Sequence, residues 1–253
     1  MNDDNKFIMP QWGVPSWVRA AVTTRLGGVS SQPYDSFNLG DHVGDDPGTV
    51  ALNRQRLLDE MQLPSVPVWL QQVHGIRVVD AAGVSKADAV QADAAFTRTP
   101  GVVCAVMTAD CLPVLFSDRE GTVVAAAHAG WRGLAQGVLE ATVAAMGVVD
   151  ISELCVWLGP GIGAKAFEVG EDVRNAFLAY DEQSVLAFAD VGNKKFLADM
   201  DLLARQRLQS LGVTQISGGG YCTYSDAQRF YSYRRDKITG RMASLIWLDA
   251  SSA

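Results

Sequence analysis

With 253 residues, 48% of them apolar, the chain is long enough to bury a large core. Its formal charge of −7 and pI near 4.9 argue against a general affinity for nucleic acid or an anionic membrane, so any anion site must be local. The first residues, Met1 to Lys6, lack the basic and apolar regions of a signal peptide. No run approaches the roughly 20 apolar residues of a membrane span, and a cytoplasmic protein is expected.

In chain order, residues 16–24 read as a first strand, followed by a loop from Gly27 to Gly44 rich in Gly, Ser, Asn and Asp. Asp46 before Pro47 is a helix-start signal, and Val50, Leu57, Leu58 and Met61 share one face, predicting a helix to about Gln62. Residues 66–74 and 76–81 read as strands turning at Gly75, and 82–95 is ambiguous. A buried strand is expected over 101–107. Residues 108–132 then read as two apolar strands joined at Asp118-Arg119-Glu120-Gly121, and 131–146 has helical spacing ended by Gly147. The second half predicts a strand over 152–158, a glycine loop over 159–163, helices over 170–180 and 195–211, and a closing hairpin of 230–235 with 241–248. No linker, repeat or composition shift divides the chain, so a single domain over 1–253 is expected. Strands joined both by hairpins and by helices imply an α+β fold with mixed sheets covered by helices.

The chemistry concentrates in the central hairpin. If Arg119-Glu120 is a two-residue loop, paired residue numbers sum to 239 and Cys111 lies opposite His128, with Cβ atoms about 4.5–5.5 Å apart. A three-residue loop would shift the register by one and place Cys111 opposite Ala129. The chain has only three histidines, His42, His74 and His128, and its four cysteines show no CxxC pair or disulfide framework. One Cys and two His, with His74 joining from Gln72-Val73-His74-Gly75, are the donors of a catalytic zinc with a fourth position open. Copper accepts the same donors, but a multicopper cluster needs more imidazoles than three. The metal-free alternative is a Cys111 thiolate activated by His128, with Asp110 or Asp93 orienting the base. Each of these residues taken alone has an ordinary structural reading.

The loop 159–163 lets backbone approach a ligand but lacks the Walker and Rossmann patterns. Tyr231, Tyr233, Arg234, Arg235 and Lys237 gather aromatic and cationic groups suited to a base ring or a phosphate. Asn38, Asp41 and His42 lie in the long N-terminal loop, from which they could reach a substrate.

The segments 38–44, 72–75, 108–113, 127–133, 158–163, 167–170 and 231–236 together resemble the YfiH-type family, also called laccase-domain or polyphenol oxidase, purine nucleoside phosphorylase and peptidoglycan editing factor. The resemblance runs in order from about residue 18 to 248. It implies a layered α/β/β/α sandwich resembling cysteine hydrolases of the cytotoxic necrotizing factor type, and zinc, with copper as the alternative, on His74, Cys111 and His128. It further implies phosphorolysis of adenosine, inosine and methylthioadenosine, with adenosine deamination as a second activity. Other members are linked to copper-dependent phenol oxidation, or to removing L-serine from a nucleotide-linked cell-wall precursor. Asn38, His42, Gln72, Arg234 and Arg235 are the expected substrate contacts, the partners are a nucleoside and phosphate or that precursor, and a monomer is expected. Gly161 and Ala164-Lys165-Ala166 depart from the family pattern without touching the expected metal ligands.

Overall fold

A computed structural model describes residues 6–84 and 90–249. Alternation along the central strands sets the layers. In Leu112–Asp118, Leu112, Val114 and Phe116 face one way, and Leu115 faces the other, as expected for a strand buried on both sides. The first set packs with Ala125, Ala127 and Val156 against Leu134, Leu139, Val143, Leu203 and Leu208 of the covering helices. On the opposite face Leu115, Val124, Ala126 and Trp157 meet Val18, Ala20, Val22, Cys104, Val106 and Ile246 of a second sheet. The outer face of that sheet, with Val103, Ala105, Ala243, Leu245 and Trp247, is covered by Leu57 of the helix Pro47–Glu60. The result is the layered α/β/β/α sandwich.

The outer sheet has the order Phe7–Ile8, Val18–Thr23, Met242–Leu248, Val103–Thr108, and every pairing in it is antiparallel. The inner sheet has the order Gln215–Gly218, Leu154–Leu158, Leu112–Asp118, Val124–Ala129, Ala94–Thr97, Val78–Asp80. Its two outermost pairings are parallel and the rest antiparallel, so it is mixed. A three-stranded and a two-stranded sheet complete the fold. Among the described residues no helix is long and apolar enough to cross a membrane.

Asp46 caps the first helix by accepting from the Thr49 amide, with Pro47 in the first turn, as the sequence signal predicts. Several expectations are corrected. Residues 66–74 and 76–81 are not partners: Leu70–Gln71 pairs with Val90–Gln91, and Val78–Asp80 with Ala94–Thr97, both in parallel. The helix expected over 131–146 breaks at Gly137, whose φ of 102° gives Trp131–Gln136 and Val138–Met146. Residues 195–211 divide into the strand Lys195–Ala198 and the helix Met200–Ser210, because the Asp199 side chain caps at the Leu202 amide. The closing hairpin is also absent. Met242–Leu248 has both edges taken by Val18–Thr23 and Val103–Thr108, and Tyr233–Asp236 forms one helical turn capped by Ser232. The ambiguous stretch 82–95 contains Val90–Gln91 and part of Ala94–Thr97, while 85–89 lie outside the described residues.

The central hairpin is correct in kind and different in register. Its pairs run Leu112 with Ala129 and Pro113 with His128, so partners sum to 241 and the loop spans 119–122. The Asp118 carboxylate stabilises this longer loop by accepting from the Thr122 and Val123 amides at 2.7 and 3.1 Å. Gly121 supplies the positive φ of 65° that ends the turn. Cys111 therefore lies across from Gly130 rather than His128. The shift from the expected register is two residues, and side chains alternate with period two, so Cys111 and His128 still share a face.

Candidate metal centre

His128 is the penultimate residue of the strand Val124–Ala129, on the face between the two sheets, and Cys111 immediately precedes Leu112–Asp118. His74 arrives on the loop between Leu70–Gln71 and Val78–Asp80. One ligand atom from each of the three lies within 4.8 Å of the others. The His74 and His128 rings stand nearly edge to face, with centroids 4.8 Å apart.

Two of the three positions are held by backbone that ordinary residues avoid. His74 has φ 60°, and Asp110, next to Cys111, has φ 97°. The Asp110 carboxylate accepts from Thr223 Oγ1 and from the Arg234 amide, both at 2.6 Å. Its carbonyl accepts from the Ile162 amide at 2.8 Å. The Asp93 carboxylate accepts from His128 Nδ1 at 2.8 Å and from the His74 and Gly75 amides at 2.9 and 2.7 Å. Because His128 Nδ1 is occupied in this way, Nε2 is the ring atom left for the cluster.

Electrostatics follow from this packing. Burial opposes ionisation of Asp93, yet the hydrogen bonds from His128 and the neighbouring amides hold it below the usual carboxylate range. Burial likewise disfavours an imidazolium at His128. There the charge of Cys111 and the bond to Asp93 outweigh burial and lift the group to about 9, so a metal entering the cluster displaces a proton. His74 is pushed down by burial and by repulsion from His128, Arg132 and Arg241, which favours a neutral ring with a free lone pair.

The donors fit a metal. Two imidazoles and a thiolate are a set that zinc and copper both accept, and Gly130 leaves the space beside them clear. A Cβ on Gly130 would lie 2.5 Å from His74 Nδ1 and 3.1 Å from Cys111 Sγ. Beside Cys111 a largely apolar cavity of about 150 Å³ is lined by Trp131, Ile162, Phe167, Met200, Tyr233 and Arg234.

Residues 19–249 match the family described as multi-copper polyphenol oxidoreductase laccase. The chain belongs to this family. Relatives in the laccase family include the Escherichia coli (strain K12) protein named purine nucleoside phosphorylase YfiH. It is 57% identical over 244 residues, covering 96% of this chain and 99% of that protein. A Pseudomonas aeruginosa purine nucleoside phosphorylase is 56% identical over 245 residues, with the same coverage. The crystal structure of a Neisseria meningitidis protein superposes with a TM-score of 0.92 at 51% identity, covering 97% of this chain and 100% of that one. Bacillus licheniformis YfiH gives a TM-score of 0.89 at 29% identity, with 98% of each chain covered.

The expected substrate contacts are placed unevenly around this laccase-family site. Arg234 lines the cavity, with its guanidinium 5.1 Å from the Phe167 ring centroid and Nη1 donating to the Glu168 carbonyl at 2.8 Å. His42 is exposed, with Nδ1 3.5 Å from Asp41. Asn38 is fully buried, and its amide group is committed to Gly40, Asp45 and the Arg241 amide. Gln72 makes a reciprocal pair with the Met107 backbone at 2.8 and 2.7 Å, tying the His74 loop to the outer sheet. The loop 159–163 spends the amides of Gly159, Ile162 and Gly163 on Pro113, Asp110 and Cys222, so it braces the Cys111 segment.

Arg235 donates to the carbonyls of Thr223, Tyr224 and Phe230 and to Asp236, which employs its whole guanidinium fork. Arg235→Ala is therefore expected to cost about 1–3 kcal/mol of stability, read as a fall of several degrees in melting temperature. A raised phosphate KM at unchanged stability would make Arg235 a ligand contact instead. Two groups near the cluster were not singled out as site residues in the sequence, Arg132, which lies inside the 127–133 segment, and Arg241, both close enough to His74 to act on its charge. Arg241 follows Gly240 in a buried turn, and a local reading of that segment as hairpin hid its direction.

Proposed function

We propose that the chain is a zinc-dependent purine nucleoside phosphorylase acting on adenosine, inosine and methylthioadenosine, with adenosine deamination as a second activity and the whole chain acting as one catalytic unit. The observation that carries this reading is the His74, Cys111 and His128 cluster opening beside an aromatic, apolar cavity. The names of the relatives agree with it. Zinc held by these three residues would supply a Lewis acid with an open coordination position. Trp131, Phe167 and Tyr233 offer ring faces and edges for a purine. Arg132 and Arg241 supply positive charge near His74 for an oxyanion, a role that the full engagement of Arg235 leaves to other cations.

Metal analysis combined with product analysis tests the proposal. Purified protein is expected to carry zinc, to yield adenine and ribose 1-phosphate from adenosine in phosphate, and to yield inosine without it. Zinc-loaded protein that cleaves no nucleoside in phosphate would sink the phosphorylase reading.

A second reading rests on the row Asp93, His128, Cys111. A carboxylate bonded to an imidazole that in turn meets a thiol is also the arrangement of a cysteine hydrolase. It supports an amidase releasing L-serine from a nucleotide-linked muramyl precursor. Serine release without phosphate-dependent nucleoside cleavage would favour it.

A further inference from the structure

We propose that Asp93 is the positioning residue of the metal centre, a single buried carboxylate that sets both histidine ligands, His128 through its ring and His74 through its backbone. The inference rests on the metal reading of the cluster and adds to it the group that builds it.

Asp93 is fully buried. An ionised carboxylate in that position persists only when it is well partnered, and here four donors converge on it. Oδ1 accepts from His128 Nδ1 at 2.8 Å and from the His74 amide at 2.9 Å. Oδ2 accepts from the Gly75 amide at 2.7 Å and from the Val73 amide at 3.2 Å. Three successive amides aimed at one anion form a backbone nest, with the anion supplied by the chain itself. The nest holds His74 at its positive φ, which a free loop would leave for the extended region.

The same residue grips His128 twice. Its carbonyl accepts from the His128 amide at 2.7 Å, while its carboxylate takes the ring. A carboxylate has no hydrogen to give when ionised, so Nδ1 must donate and Nε2 must present its lone pair to the cluster. Asp93 thus decides which nitrogen of His128 can bind a metal and where His74 stands relative to it. Its own backbone is held by its amide donating to the Arg77 carbonyl at 3.0 Å.

Asparagine in its place keeps the size but offers one oxygen and one NH₂ group to four donors. At least one donor then faces another donor. For Asp93→Asn the zinc affinity, measured by chelator competition, is expected to fall by about 10–100-fold. With Co²⁺ as probe, the thiolate charge-transfer band from Cys111 is expected to persist. The intense visible bands of a four-coordinate site are expected to weaken as an imidazole is lost, a split that general loosening of the fold does not produce.

A measurement on the native protein removes any dependence on how the variant folds. Long-range ¹⁵N–¹H spectra of the zinc-loaded wild type are expected to show His128 protonated at Nδ1 and metallated at Nε2. The reverse tautomer overturns the proposal, as does an Asp93→Asn protein that binds zinc as tightly as wild type. Wild type that takes up no zinc overturns the metal reading and this inference with it, whereas the first two results overturn the inference alone.

Discussion

Cys111→Ala is expected to give a folded protein that retains no stoichiometric zinc and loses nucleoside turnover by more than about 100-fold, beyond the cost of altering an outer-shell partner. Cys111 contributes the sulfur of the candidate metal cluster and also forms part of the cavity wall. Its segment is held independently of the thiol, by Asp110 binding Thr223 Oγ1 and the Arg234 amide and by the Asp110 carbonyl binding the Ile162 amide. Truncation should therefore leave the backbone in place while removing a donor. A ligand that binds only the folded state stabilises it by mass action, so added zinc should raise the melting temperature of wild type and not of the variant. Circular dichroism, metal content and turnover read the outcome together. A variant with normal zinc content and normal turnover would remove Cys111 from the site.

Gly130→Ala carries the second large effect, and it isolates space from backbone conformation. Gly130 has φ −63° and ψ 155°, values any residue adopts, so alanine brings no backbone strain. The added carbon would nonetheless sit 2.5 Å from His74 Nδ1, closer than non-bonded atoms tolerate, and in a tight contact of 3.1 Å with Cys111 Sγ. His74 stands on an exposed loop and Cys111 at the mouth of a braced strand, so the histidine is the group that yields. Zinc affinity is expected to drop by at least about tenfold, on the scale of a displaced or misoriented ligand. The stability of the metal-free protein should change by less than about 1 kcal/mol, since no core contact is removed. Titration of zinc into metal-free protein, with thermal melts alongside, measures both quantities. Unchanged affinity would show that His74 lies outside the coordination sphere.

The two substitutions mark the boundary of what a linear reading reaches. Cys111, His128 and His74 stand out in the sequence because histidine is scarce and two of the three lie at strand ends in one apolar hairpin. Gly130 does not stand out, because a glycine between a strand and a helix reads as a cap. Its importance comes from His74, brought across from a separate loop.

The hairpin separates the two kinds of information further. The sequence by itself singled out Cys111 and His128 on facing strands of one hairpin, but the two-residue loop expected from it was wrong. The two share a face because the actual register differs from the expected one by two residues, a whole period of side-chain alternation. The sequence also determined the layered α+β class, the cap at Asp46 and the family. Only the tertiary structure decided the register, because the four-residue loop depends on an Asp118 carboxylate that binds the Thr122 and Val123 amides. It alone divided 195–211 at Asp199 and turned 230–235 away from a hairpin, because both edges of Met242–Leu248 were already paired. It likewise decided that Asp93 rather than Asp110 meets His128, and that the Arg235 guanidinium donates to the Thr223, Tyr224 and Phe230 carbonyls and to Asp236. These outcomes share one physical cause. A polar side chain is assigned its work by donors and acceptors that arrive from distant parts of the chain, and local pattern records only which face it starts from.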